Sequence, residues 1–245
     1  MKKMNLAVIT TLAITVLTSN AFAQTKESRL EPVLWELKIR NDAGTKIIEG
    51  ENSYQKRLAR SPLWTAKLYE IMQDKNENLI LLDSVPEDVT YFCPKYKTLS
   101  KTQRMNFWAQ MVASISYKES GWQPVTRSKE PVGDFPKGDS VTGQPVYSEG
   151  LLQLSYQDVI SYRSLNCGFD WSKDKHLDPK DSQKTIFAPY RNLRCGLLIL
   201  NNQVKRNNKI STKGAYWSVI RPRATNKYSK TPWISQQTKS LSFCK

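Results

Sequence analysis

Apolar residues first appear as a nearly unbroken run from Leu6 to Leu17. The run follows Lys2 and Lys3 and stops shortly before Ala21-Phe22-Ala23. It is shorter than the ~20 residues needed to cross a bilayer. A basic start, a short apolar run and a small-x-small end predict a secretory signal peptide over 1–23, cleaved after Ala23. An exported chain, periplasmic or secreted, is expected. Residues 24–245 remain, enough to bury one sizeable core. Over 24–91 the apolar clusters "PVLWELKI" and "PLWTAKLYEIM" sit in polar sequence and predict an N-terminal helical extension. Pro86 and Pro94 interrupt the helical pattern at 83–94, the expected junction with a second domain over 92–245.

The clearest helix follows that junction. Ser100 and Gln103 have the spacing of a capping box. Met105, Trp108, Met111, Val112 and Ile115 then recur at helical intervals, which predicts one apolar stripe. At about 100° per residue, Glu119 falls on the same face as Trp108 and Val112. Gly121 is a natural stop and Pro124 forbids continuation. Residues 125–148 show no periodicity and read as a long loop. "LLQL" reads as a short extended or turn segment, and Ser155 with Asp158 as the cap of a further helix. A loop covers 166–183, and "NLRCGLLILNNQV" predicts a strong helix over about 192–204. The tail 211–245 reads as a series of aromatic-rich turns. The fold class expected is mainly α.

Charge and cysteines narrow the setting. The chain carries 37 Lys+Arg against 22 Asp+Glu, a formal net charge of +15. A field of that sign draws in polyanions. In an exported protein these are cell-wall glycans and lipid surfaces before nucleic acid, and no nucleic-acid-binding motif is present. The four cysteines, an even number in an exported chain, predict two disulfides with three possible connectivities. With no C-x-x-C pair and one histidine, His176, no zinc site is expected. Asp170, Ser172 and Asp174 alternate as in a calcium loop, but Lys175 and Asp181 stand where such a loop needs Gly and Glu. No metal and no cofactor is expected.

A carboxyl at the rim of an apolar face loses water, so Glu119 should hold its proton to higher pH. That is the property of a general acid able to protonate a glycosidic oxygen. "ESGWQP", followed after a loop by "SEGLLQLS", resembles the signature of the soluble lytic transglycosylases, which share the lysozyme-like fold with goose-type lysozymes. "LDPKDSQKTIFAPYRNLRCGLLIL" is similar to the family's Asp-Pro and Asn-hydrophobic-Gly helix. Tyr216 in "GAYWSVIR" falls where the family has an active-site tyrosine. The resemblance covers roughly 92–245. It implies a lysozyme-like fold with an N-terminal helical extension, in which Glu119 is the acid and then the base, supported by Ser120. It also implies that Gly150, Leu151, Leu152 and Gln153 wall a sugar groove, with Gln153 hydrogen-bonding a sugar and Tyr216 beside the glutamate. Trp122, next to Glu119, is the aromatic expected in that groove. Within the matched region, Cys167 and Cys195 flank the Asp-Pro loop and Cys93 and Cys244 bracket the whole, which suggests those two pairings.

The expected activity is cleavage of the β-1,4 glycan backbone of peptidoglycan by a monomer without stable membrane insertion. Glycan strands are the expected partner and nucleic acid is not. The chain departs from the family in three places. The usual Ala-Tyr-Asn-Ala-Gly segment reads "AYWSVIRPR", the extension over 24–91 has no counterpart in the minimal domain, and the loop after Glu119 is long. That loop carries Glu130, Asp134, Asp139 and Glu149, each a candidate second carboxylate for hydrolysis, as against the one-glutamate transglycosylase reaction. Some lysozymes similar to this family act on de-N-acetylated peptidoglycan, and the "FCP…FW…ES" run is similar to theirs. The alternative is a catalytically idle protein that binds the wall.

Overall fold

The computed structural model describes residues 30–35, 61–162 and 165–245. The signal peptide and most of the first half of the extension lie outside the described residues. The fold is mainly α. Its helices are α1 (Ser61–Gln73), α2 (Val89–Phe92), α3 (Lys101–Ser120), α4 (Asp158–Ser161), α5 (Trp171–Asp174), α6 (Pro189–Asn207) and α7 (Thr231–Lys239). Two three-residue strands, β1 (Arg127–Lys129) and β2 (Tyr147–Glu149), pair antiparallel with Arg127 opposite Glu149. Among the described residues no helix is long and apolar enough to cross a membrane.

Helix α3 is the axis of the molecule. The Ser100 side chain accepts from the Gln103 N–H, and the Gln103 side chain accepts from the Ser100 N–H, so the capping box is complete. Gly121 ends the helix with φ +58°, a left-handed backbone that glycine adopts without a Cβ clash. The expected single stripe is an underestimate, because every residue from Met105 to Ser116 is buried. Buried polar groups persist there only if partnered. Asn106 exchanges two hydrogen bonds with the Glu31 backbone, and Gln110 accepts from Leu34 N–H and donates to Gln237 C=O. Ser116 donates to Leu151 C=O. Neighbours thus cover α3 on all sides, including residues 31–34, α7 and the turn after β2.

Helix α6 starts with Pro189 at its first turn and ends at Asn208 in a left-handed cap. α1 packs on both α6 and α3. At the expected junction, Asp88 accepts from the N–H groups of Ile210 and Ser211. Two further expectations are revised. The loop over 125–148 contains the β1–β2 hairpin, too short to leave a period in sequence. The tail is not only turns, since α7 begins with Pro232 in its first turn, where a missing N–H costs nothing. The disulfides are Cys93–Cys244 and Cys167–Cys195, closing loops of 151 and 28 residues.

Candidate functional site

Glu119 occupies the last turn of α3. Its Oε1 is buried and has no hydrogen-bond partner among the described residues. An unmade hydrogen bond at a buried polar atom is costly, which marks the position as one kept for something other than stability. Burial, and then the negative charge of Glu130, push the carboxyl from an ordinary 4.5 up to about 7, while Arg221 pulls the other way.

Glu130 follows β1, and its N–H donates to Val146 C=O. Ser148 on β2 donates its hydroxyl to the Glu130 carboxylate. Of the four carboxylates in the loop, this half-buried one is the one whose charge acts on Glu119. Glu149 is instead a buried anchor, its Oε1 held by Arg127 Nε at 3.1 Å and Lys184 Nζ at 2.9 Å. Asp139 is buried and accepts from the N–H groups of Val141, Thr142 and Gln157. Asp134 is exposed.

The turn Gly150–Leu154 is fastened beside Glu119 from several directions. Ser116 and Ser120 on α3 both donate to Leu151 C=O, Trp217 Nε1 donates to Leu152 C=O, and Asn192 Oδ1 accepts from Leu152 N–H. Ser120 thereby ties the tip of the helix to the turn. Gly150 has φ +82°, and a Cβ there would sit 2.3 Å from Asn192 Nδ2. The glycine makes room for Asn192, whose Nδ2 donates to Glu149 and Ile186 carbonyls, rather than for a ligand. Leu151 and Leu152 point into the core at 0% and 1% exposure, so only their backbone can border a groove. Gln153, also with positive φ, donates its Nε2 to Thr126 and Gly150 carbonyls. Its amide oxygen has no hydrogen bond among the described residues.

Trp122 corrects an expectation. Its side chain is 2% exposed and its Nε1 donates to Ala113 C=O, so the ring is core rather than a sugar platform. Its backbone turns back at φ +61° straight after Gly121, which carries the ring under the helix. The half-exposed aromatics near the tip of α3 are instead Tyr117 and Trp233, stacked at 5.3 Å between ring centroids.

Tyr216 is brought to Glu119, whose negative charge helps raise the phenol pKa behind the larger effect of burial and the effect of Asp158. Its hydroxyl donates to Asp158 Oδ2 at 2.7 Å. Asp158 is 4% exposed, and burial lifts its carboxyl to about 6 against the opposing hydrogen bonds from Ser155 and Tyr216. Asp158 was read from sequence only as a capping residue. That reading is corrected: the helix begins at Asp158 itself, after Gln157, and Ser155 does not cap it, although Ser155 N–H donates to the Asp158 side chain; the bond from Tyr216 over 58 residues leaves no sequence signal.

Two cavities are bordered by residues other than Glu119. One, of about 130 Å³, is bordered by Arg127, Tyr147, Tyr156 and Trp171, and the other, of about 470 Å³, by Met72, Leu79 and Met105. Among the described residues no cluster of His, Cys, Asp and Glu could hold a metal ion. Asp174, in the calcium-like spacing, is taken up by Tyr156 and Thr185.

No protein-family model and no curated protein matches the sequence. Solved structures do match. A wild-type form of Bd0314 DslA, a Bdellovibrio protein, is 31% identical with a TM-score of 0.61, the match covering 80% of this chain and 98% of that one. Two glutamate-to-glutamine variants of the same protein match at 29% identity (TM-score 0.63; 89% of this chain, 100% of that) and 30% identity (0.61; 79% and 97%). At that identity over nearly the whole of the other protein, the chain belongs to the family of Bd0314 DslA.

Proposed function

We propose that this protein cleaves the β-1,4 glycan backbone of peptidoglycan, with Glu119 as general acid and then base. The observation that carries the reading is the buried Oε1 of Glu119, without a hydrogen-bond partner among the described residues, on a carboxyl held near 7. Such a group is protonated in a large fraction at neutral pH and can give its proton to a leaving oxygen. Tyr216, fixed by Asp158, lies beside it, and Gln153 offers the sugar an amide oxygen that has no hydrogen bond among the described residues.

Glu130 is the second carboxylate of the reaction, which favours hydrolysis over anhydro-ring closure. Two observations support this choice over the other acids of the loop. Glu130 acts on the charge of Glu119, and the two substituted glutamates of Bd0314 DslA are separated by eleven residues, as Glu119 and Glu130 are. Two carboxyls acting on each other, Glu119 and Glu130, favour a sugar that carries a positive charge, as de-N-acetylated peptidoglycan does. The exported location expected from residues 1–23 agrees with two disulfides.

The test is digestion of purified sacculi, native and de-N-acetylated, by wild type and Glu119→Gln. Wild type should release soluble fragments, faster from de-N-acetylated material, and the variant should be slower by ~10³-fold or more while still pelleting with sacculi. Binding by both proteins with cutting by neither would support the idle wall-binding alternative.

A further inference from the structure

The positive charge of this chain is distributed unevenly. Residues 182–245 hold 13 Lys+Arg and no Asp or Glu, while residues 1–181 hold 24 against 22. Nearly the whole surplus belongs to α6, α7 and the turns around them. Among the described residues, only Lys184, Arg194 and Lys209 of these 13 meet a carboxylate. Arg206, Lys213, Arg223, Lys227 and Lys230 are exposed.

Three of these cations act on Glu119 or on residues near it. Arg221 donates to the carbonyls of Ala215 and Tyr216, and its charge reaches Glu119. Arg206 reaches Tyr162, whose ring meets Tyr216 edge-on at 6.1 Å. On another side, Lys230 reaches Lys118, the residue before Glu119, and Lys118 Nζ lies 3.8 Å from the Trp233 ring centroid. The site therefore has two carboxyls at its centre, Glu119 and Glu130, and cations around it.

A polymer lying across such a site has to be neutral or positive over the centre and negative to either side. A strand with a phosphate at every unit, ~3.4 Å apart as in a nucleic acid, would place some of its charges on the carboxyls. We propose that the rim binds free carboxylates borne on side branches of a glycan, holding its sugar backbone over Glu119. The inference rests on the glycan reading above and adds the part of the substrate that is recognised.

The experiment uses full-length Glu119→Gln, which binds without cutting, pelleted with sacculi whose carboxylates are either free or converted to neutral amides. Affinity for native sacculi should fall about tenfold on amidation. It should fall by a similar factor when Arg206→Gln, Arg223→Gln, Lys227→Gln and Lys230→Gln are combined, since each exposed pair is worth some tenths of a kcal/mol. Salt at about 0.3 M should erase the difference between native and amidated sacculi. Equal binding to both sacculi, or an unchanged affinity of the neutralised protein, would overturn the inference. Displacement by polyphosphate but not by polyglutamate would also overturn it. Cleavage by the wild type is scored separately: carboxylate-dependent binding without cutting would leave the rim standing and remove the glycosidase reading, and cutting without carboxylate dependence would do the reverse.

Discussion

Replacing Glu119 by glutamine should stabilise the protein, and only where the native carboxyl is charged. The folded protein holds this proton to about 7, against an ordinary 4.5. Because the folded-state value is raised, the folded state binds the proton more tightly than the unfolded chain. The resulting stability is present below pH 4.5 and is lost as pH rises through 7. A shift of that size at 1.36 kcal/mol per unit makes the charged form about 3 kcal/mol more costly to bury. Glutamine has no charge to bury, so Glu119→Gln should gain about 3 kcal/mol relative to wild type between pH 4 and pH 8. For a domain of this size that is a change of roughly 6–12 °C in the difference between the two melting temperatures. The extra N–H donors of the amide add a term independent of pH, which cancels when the two pH values are compared. The assay is thermal unfolding of both proteins at pH 4 and pH 8 in the same salt. A difference in melting temperature that is the same at both pH values would refute the buried, proton-holding carboxyl.

Three more outcomes can be checked. Gly150→Ala should destabilise by about 2–4 kcal/mol, because the new Cβ meets Asn192 Nδ2 at 2.3 Å with φ at +82°; a urea midpoint within 0.5 kcal/mol of wild type, at unchanged m, contradicts the packing. Glu130→Gln should abolish release of products carrying one added water from purified sacculi, read by mass spectrometry, while the protein folds normally; hydrolytic products at the wild-type rate would exclude Glu130 from the reaction. Replacing Cys93 and Cys244 by serine should cost about 5 kcal/mol, and replacing Cys167 and Cys195 between 3 and 4, since the first pair closes the longer loop; equal losses in denaturant unfolding would show that loop length does not govern them.

Local signals carried much of this structure. The Ser100 cap and the stop at Gly121 are each set by neighbouring residues, so they were readable from sequence, whereas α6 was placed from about 192 and in fact starts a turn earlier at Pro189. Glu119 could be placed at the rim of the core because helical period is a short-range property. The all-round burial of α3 was hidden, because Asn106 and Gln110 look solvent-facing until residues 31–34 and α7 supply their partners. The same limit concealed Trp122, whose burial follows from two consecutive left-handed residues, and Glu130, singled out by a hairpin of three-residue strands. Asp158 and Tyr216 meet only through tertiary folding.

The most direct test of the account is the pH dependence of kcat/KM for the wild-type protein on soluble glycan fragments. The account predicts a descending limb close to pH 7, where Glu119 gives up the proton that the leaving oxygen needs. A rate that stays level or climbs from pH 7 to pH 9 would contradict it.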